Sequence, residues 1–549
     1  MSNEVAVTKS PTESGSEYFC VDDKARLFES RIWPLLEEYY QKASISAWNQ
    51  IPFYPTSNPF IAEVYADIIL AFLDDYAAHL NLDEPLYLLE MAAGSGCFSF
   101  YLLKELSNRR RYFAKLAKLK LRYIMADFTA DNPRSWQNNL KLRPFVEQGL
   151  LQFGVFRPQD DLVVHACPAE GAEGVGEVLL EKGKCKNPLI AIANYFFDSI
   201  KQDAFQIQDG KLTEARHTFH CKRDGDNPDG IKFELLQKTE TYHDVSNDYF
   251  SDARMNSVLT SYRREFENAS ILFPTGAFHC ISNLLEISDN KLVLISSDKG
   301  FTDRNYVKGR REQPFVAHHG IFSYSVNYDA LRRYFEGLGG TSFNTTDDNL
   351  SVSTAVNYLL GGTECALEHS RFNFIEKMDR QNLPNYLYFM QDLLTDVEPK
   401  KENEIMRACI GFVQLCNYDP IVFCLAAPRI YGAIETVNLF QEKRLLEMVQ
   451  LVRENFYSVQ QQYDVFYWIG RIYYGLNRLD DALKSFADSL LTFGESSSAL
   501  YYMAACYEVK KDYQTALRLY NDTLRIEPTC EFTKGGIKRV EEVIASGAR

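Results

Sequence analysis

Apolar runs long enough to cross a bilayer are missing: no stretch approaches the ~20 residues that a spanning helix needs. The twelve cysteines are scattered, and none forms a C-x-x-C pair, so zinc-ribbon and thioredoxin-type sites have no support. The chain has only 29 glycines and 19 prolines in 549 residues, too few for a collagen-like or low-complexity protein. Positive charge is also short. There are 59 Lys and Arg against 74 Asp and Glu, and the net charge of −15 argues against indiscriminate nucleic-acid binding. The opening MSNEVAVTKSPTESGSEYF lacks both a basic n-region and an apolar h-region, so neither a secretory signal nor a transit peptide is expected. Free thiols without a framework suit a reducing compartment, and the expectation is a cytoplasmic protein with no membrane span. The nearest approach to a metal cluster, His217, His220 and Cys221, lies in the alternating run ARHTFHCKRD, which reads as a strand, so no metal is expected.

Aromatic residues are plentiful, with 37 Phe and 33 Tyr, and call for large cores or pockets. The length corresponds to about three folding units at roughly 100–200 residues each. Residues 1–24 read as a flexible tail, followed by helical patterning through Leu80. From Leu86 to about Phe343, strand-like runs (LYLLEMA, LRYIMAD, LLQFGVF, LIAIANYFF, AFQIQDGKL, KLVLISSD) alternate with helix-length segments, the pattern of parallel βαβ units in an α/β sheet. The polar stretch TSFNTTDDNLSVST (341–354) looks like a boundary. The expected division is an α/β domain over 25–345, a helical connector over 346–434 and all-α repeats over 435–549.

The repeats announce themselves by period. Tyr473 and Tyr507, Ala482 and Ala516, Phe486 and Tyr520, and Gly470 and Ala504 are each 34 residues apart, and Pro528 closes the second unit. Small residues where two helices touch, with aromatics between them, resemble the tetratricopeptide repeat. Residues 435–456 are expected to form a degenerate preceding unit and 531–546 a capping helix, because two units alone are too few to stand.

The chemistry is concentrated in YLLEMAAGSGCFSFYLLKEL (87–106). A buried strand ends in Glu90, a small-residue turn follows, and a helix begins near Phe98; such a turn lies at the ligand-binding edge of an open parallel sheet. Gly94 and Gly96 let the backbone approach a ligand closely. The G-x-G-x-x-G of dinucleotide folds and the G-K-[ST] of a P-loop are both absent. Glu90-Met-Ala92-Ala-Gly94-Ser-Gly96 is similar to the E-x-G-x-G-x-G of class I S-adenosylmethionine (SAM) methyltransferases, with alanine for the first glycine. The next strand ends in Asp127, where that family places the acid that binds the ribose hydroxyls.

The run LIAIANYFFDSIKQDAFQIQDGKLTEA (189–215) resembles the "IANEFFDALPV…DG…E" segment of MidA-like methyltransferases. That family includes the protein-arginine methyltransferase that assists mitochondrial complex I assembly. FYPTSNPF, FPTGAFHCISNLLEISDNKLVLISSDKG and HHGIFSYSVNYDAL agree in order, so the likeness spans about residues 50–340. Two positions depart: the family's Asn-Glu is Asn194-Tyr195, and its "DYG" is Asp298-Lys299-Gly300.

The resemblance implies a Rossmann-like class I sheet with an N-terminal helical extension and SAM as cofactor. Glu90, Ala92, Gly94, Gly96 and Asp127 would bind it, with Ser57 on a lid. On the acceptor side, Asn194 would orient the substrate, Asp198 tune the site and Tyr195 form a wall; a carboxylate or amide suits a guanidinium fork. His318 and His319 are further candidates for that side. The expected activity is methylation of a protein, arginine included, recruited by the repeats. Its rivals are an inactive methyltransferase-fold adaptor and a small-molecule methyltransferase whose repeats form a homodimer. One local feature opposes the overall sign: Lys104–Arg122 carries eight Lys or Arg and a single acid, Glu105. It reads as a solvated helix face, with a dock for an acidic partner as the alternative.

Overall fold

Runs such as LRYIMAD and LIAIAN are mostly apolar and suit strands covered on both faces. In the computed structural model they form such a sheet. The structure describes residues 17–43, 54–110, 116–168, 176–223, 230–309, 315–318, 320–346, 352–380, 402–458 and 463–547. The chain divides into two compact units, one within Met1–Ser57 and Val64–Pro384, the other within Asn58–Glu63 and Asn385–Arg549. No helix among the described residues is long and apolar enough to cross a membrane.

The first unit is built on a nine-stranded sheet. Its order is Thr341–Asn344 (β17), Ser353–Leu360 (β18), Lys291–Asp298 (β12), Leu189–Asn194 (β7), Leu86–Met91 (β2), Leu121–Asp127 (β3), Leu151–Val155 (β4), Val164–Ala166 (β5) and Val178–Leu180 (β6). β4, β3, β2, β7 and β12 run parallel, and antiparallel strands continue both edges. The chain winds from β2 out to β4, then returns to the other side of β2 for β7 and β12. The winding therefore reverses between β2 and β7, and open α/β sheets bind ligands at such a reversal, beyond the carboxyl ends of the strands. Helices Ile32–Ala43 (α1), Pro59–Asp75 (α2), Cys97–Arg109 (α3) and Asp131–Gln137 (α4) supply the residues around that edge.

An antiparallel sheet accompanies it, ordered Tyr18–Arg26 (β1), Lys211–Lys222 (β9), Asp203–Gln208 (β8) and Ala269–Phe273 (β11), with Leu236–Asp244 (β10) also paired to β9. Two small pairs complete the strands: Gly300–Phe301 (β13) with Val326–Asn327 (β16), and Val316–His318 (β14) with Ile321–Ser323 (β15). Arg26 joins β1 to β8 through a fork onto buried Asp203, at 2.8 and 2.6 Å.

Two boundaries and one strand assignment differ from the sequence reading. Strand β1 starts at Tyr18, so residues 18–24, assigned to a tail, belong to a strand; residues 1–16 lie outside the described residues. β1 pairs with β9 some two hundred residues away, a contact that local patterning cannot show. AFQIQDGKL is a hairpin of the antiparallel sheet rather than a strand of the parallel one. Asp209 and Gly210 both take positive φ, +51° and +73°, as a tight two-residue turn requires. STAVNYLL, assigned to a helical region, is β18, buried along its whole length, and the first unit therefore continues past residue 345. With every residue buried, Ser353, Thr354 and Asn357 included, the run shows no alternation to separate strand from helix.

The second unit is helical. Leu439–Asn455 opens with a capping box in which Asn438 and Gln441 each satisfy the other's backbone N–H. Antiparallel helices follow at Val465–Gly475, Leu479–Phe493, Ser497–Val509, Tyr513–Ile526 and Glu531–Ala545. The small positions do what their spacing implied: a Cβ on Gly470 would stand 2.5 Å from the Phe486 ring, and one on Gly536 2.7 Å from Tyr520. Ala482, Ala504, Ala516, Phe486 and Tyr520 are all buried.

Candidate functional site

The turn after β2 threads through left-handed backbone at alternate residues, with φ of +50° at Ala92, +56° at Gly94 and +76° at Gly96. Such alternation curls backbone N–H groups toward one side. Glycine takes this conformation freely; at Ala92 it carries strain of roughly 1–2 kcal/mol, a cost that persists where surrounding contacts enforce it. Here the Ala93 N–H bonds the Ala126 carbonyl of β3 at 3.0 Å and the Trp136 indole N–H of α4 bonds the Gly94 carbonyl at 3.0 Å, so the turn is pinned on both sides of its middle.

Two buried acids flank the turn. Glu90 accepts hydrogen bonds on Oε2 from the Ser99 hydroxyl of α3 and from Tyr123 of β3, the latter at 2.6 Å. It therefore ties strand to helix behind the turn. Burial pushes its carboxyl up to about 7, against the pull of those two hydroxyls. Asp127, at the tip of β3, accepts from the Phe128 N–H at 2.8 Å and from the Asn132 amide at 3.0 Å. The N–H groups of Gly94 and Thr129 also point to it, and burial raises it to about 6.

These elements open on a cavity of about 180 Å³. Ala92, Asp127 and Phe128 line one side, Tyr195, Phe196 and Ser199 another; α1 contributes Leu36, Glu37 and Tyr40, and the segment after β4 contributes Arg157, Gln159 and Asp160. Of the residues singled out from sequence, Ala92, Asp127 and Tyr195 share this cavity. Glu90, Gly94 and Gly96 form its backing and do not line it. Ser57 is half-buried and takes the Cys97 thiol on its carbonyl at 3.8 Å, beside the start of α3 rather than in the cavity lining. His318 ends the short strand β14 away from the lining, and His319 lies outside the described residues.

The acceptor-side assignment changes most. Asn194 does not face the cavity. Its Oδ1 accepts from the Tyr65 hydroxyl of α2 at 2.7 Å, and Tyr65 also meets Ser297 at 2.6 Å, which in turn meets Thr354 of β18 at 2.6 Å. Asp198 points into the interior, bonded to Ser199 at 2.7 Å and neighbouring Asp298. Tyr195 alone of the three forms wall, held at φ +47° with its N–H on the Ser297 carbonyl at 2.9 Å. Tyr65 carried no sequence signal, because it acts through Asn194 and Ser297, partners distant in the chain; Asn132 and Gln159 stood in no motif, and Asp298 was visible only as the first residue of Asp298-Lys299-Gly300.

Two further expectations meet the structure here. His217 is a core strand residue, its Nε2 3.1 Å from Glu240, and among the described residues no group of three His, Cys, Asp or Glu could hold a metal. In the basic run, Arg109 pairs with Asp67 and Glu105, Lys120 donates to the Asp83 carbonyl and Arg122 to that of Gly149, so these cations are engaged locally; residues 111–115 lie outside the described residues.

Residues 498–529 match the model of the tetratricopeptide repeat family. No curated protein matches the chain. Among solved structures, the chain is similar to a COG1565 superfamily protein from Burkholderia thailandensis bound to S-adenosyl-homocysteine, at 10% identity over 61% of this chain and 83% of that one, with a TM-score of 0.38. It is also similar to an O-methyltransferase family protein from Burkholderia thailandensis, at 9% identity over 60% and 72%, with a TM-score of 0.23. The CurJ carbon methyltransferase aligns at 11% identity over 54% of each chain, with a TM-score of 0.24. No residue role passes from these proteins to this one.

The raised carboxyls predict a pH dependence. Both Glu90 and Asp127 titrate higher in the folded protein than in the unfolded chain, so their protonated forms favour folding. That contribution is complete below the ordinary carboxylate range and is lost as pH rises toward about 7. For Glu90 it amounts to roughly 3 kcal/mol, at about 1.4 kcal/mol per pH unit. Glu90→Gln keeps an acceptor for Ser99 and Tyr123, so denaturant melts from pH 5 to 8 should show a flatter stability profile in the variant than in the wild type.

Proposed function

We propose that the first unit is a SAM-dependent methyltransferase of the MidA-like kind, and that the repeats bring it a protein acceptor, arginine being the side chain the resemblance implies. One observation carries this reading: the strained Ala92 turn, Asp127 and Tyr195 meet in one cavity at the point where the sheet's winding reverses.

The residues present fit the cofactor. SAM would supply a methyl group on a sulfonium. Asp127, already an acceptor of several N–H groups, would accept ribose hydroxyls. Tyr40, Phe128, Tyr195 and Phe196 give the lining an aromatic share that would suit a cation and exclude water. Methyl transfer asks mainly for such positioning and desolvation. A methyltransferase-fold adaptor without turnover is the second reading, favoured by the inward orientation of Asn194 and Asp198.

Calorimetry with S-adenosylhomocysteine and a tritiated-methyl assay on lysate test these readings together. Binding with label in the protein fraction is the expected result. Binding without label in any fraction supports the adaptor, label confined to small molecules refutes a protein acceptor, and no binding overturns the cofactor assignment.

A further inference from the structure

The wall formed by Tyr195 is held from behind by Asp298, which the sequence showed only as the first residue of Asp298-Lys299-Gly300. Asp298 ends β12 and is fully buried. Its Oδ2 receives three successive backbone N–H groups, those of Phe196 at 3.0 Å, Phe197 at 2.7 Å and Asp198 at 3.3 Å. A carboxylate seated in three N–H groups fixes the backbone immediately after Tyr195, whose left-handed φ needs such support. The other oxygen of Asp298 is buried and receives no N–H or hydroxyl donor among the described residues. The Asp298 carboxyl neighbours that of Asp198. Two carboxyls in contact inside a protein hold one proton between them, because two adjacent buried negative charges repel and lack solvation.

The groups facing the pair do not relieve it. Tyr40 from α1, Tyr65 from α2 and Tyr328 at the start of the following helix surround it, and all are tyrosines whose hydroxyls burial keeps protonated. Lys299, next in the chain after Asp298, acts on Asp198 in the opposite sense, as a cation. Burial raises both acids above the ordinary carboxylate range.

We propose that Asp298 is the positioning residue of this cavity, and that the proton it shares with Asp198 latches the Tyr195 wall, so that losing the proton at alkaline pH loosens the wall and weakens ligand binding. Only the ligand half of this statement rests on the cavity being a SAM site.

Hydrogen exchange measured by mass spectrometry over residues 189–203, corrected for intrinsic rates, reads the latch without any ligand. In the full-length wild type, protection of the 196–198 amides should fall about tenfold or more between pH 6 and pH 9, one decade for each pH unit by which the shared proton is displaced. Asp198→Asn has no second charge to form and should stay level across that range. S-adenosylhomocysteine affinity should trace the same two curves. Level protection in the wild type overturns the proposal without recourse to a variant, as does a variant that follows the wild-type curve. If the wild type binds no S-adenosylhomocysteine at any pH, the cofactor reading fails and the exchange data still decide the latch.

Discussion

Asp127→Ala is expected to lower S-adenosylhomocysteine affinity by at least two orders of magnitude and, because it strips the acceptor from the Phe128 and Asn132 N–H groups, to lower the melting temperature as well. A carboxylate accepting two ribose hydroxyls contributes two charge-assisted hydrogen bonds, each worth about 1.5–3 kcal/mol, and a factor of ten corresponds to about 1.4 kcal/mol. The same carboxylate faces the Gly94 N–H, so its loss also relaxes the turn against which the ligand would lie. Asp127→Asn separates the two effects, because the amide retains one acceptor oxygen of the same size but no charge. A pH arm adds a second constraint. Asp127 accepts hydroxyls best when ionised, and burial raises it to about 6, so wild-type affinity should fall on acidification through that value. Titration calorimetry between pH 5 and 7 reads both arms. Unchanged affinity in Asp127→Ala would remove Asp127 from the site.

The second large effect lies in the repeats. Phe486→Ala should destabilise the helical unit by about 3–5 kcal/mol, the usual cost of truncating a buried phenylalanine where neighbours cannot collapse. Phe486 is fully buried, fills the space left by the missing side chain of Gly470 and stacks on Tyr502 at 5.8 Å. Stability in such arrays is a sum over neighbouring repeats, so the loss should spread along the helices rather than stay at one site. Limited proteolysis of the full-length variant should open new cleavage sites between residues 465 and 545 while fragments of the α/β unit persist. An unchanged cleavage pattern would show that Phe486 is not a keystone of these repeats.

Local chemistry carried much of the architecture. The apolar runs at 86–91, 121–127, 189–194 and 291–298 became adjacent parallel strands, because a strand buried on both faces needs a continuous hydrophobic sequence. The small-residue turn at 92–96 was legible because its left-handed backbone demands glycine or a residue forced to imitate it. The 34-residue period was legible because the same helix contact recurs at the same offset. Where the chain paired with itself at long range, the reading failed: β1 on β9 and β18 on β12 rest on partners whose identity no local window contains.

The same division runs through the site. Sequence alone determined that an acid-tipped strand, a glycine turn and a second acid would lie side by side, since strand order and turn length leave those atoms little freedom. Which of them face a ligand was decided by tertiary structure. Glu90 turned inward because Ser99 and Tyr123 offered it hydroxyls, Asn194 because Tyr65 did, and Asp198 because Asp298 stood behind it. A buried polar group goes where its hydrogen bonds are met, and those partners come from strands and helices that only folding brings together.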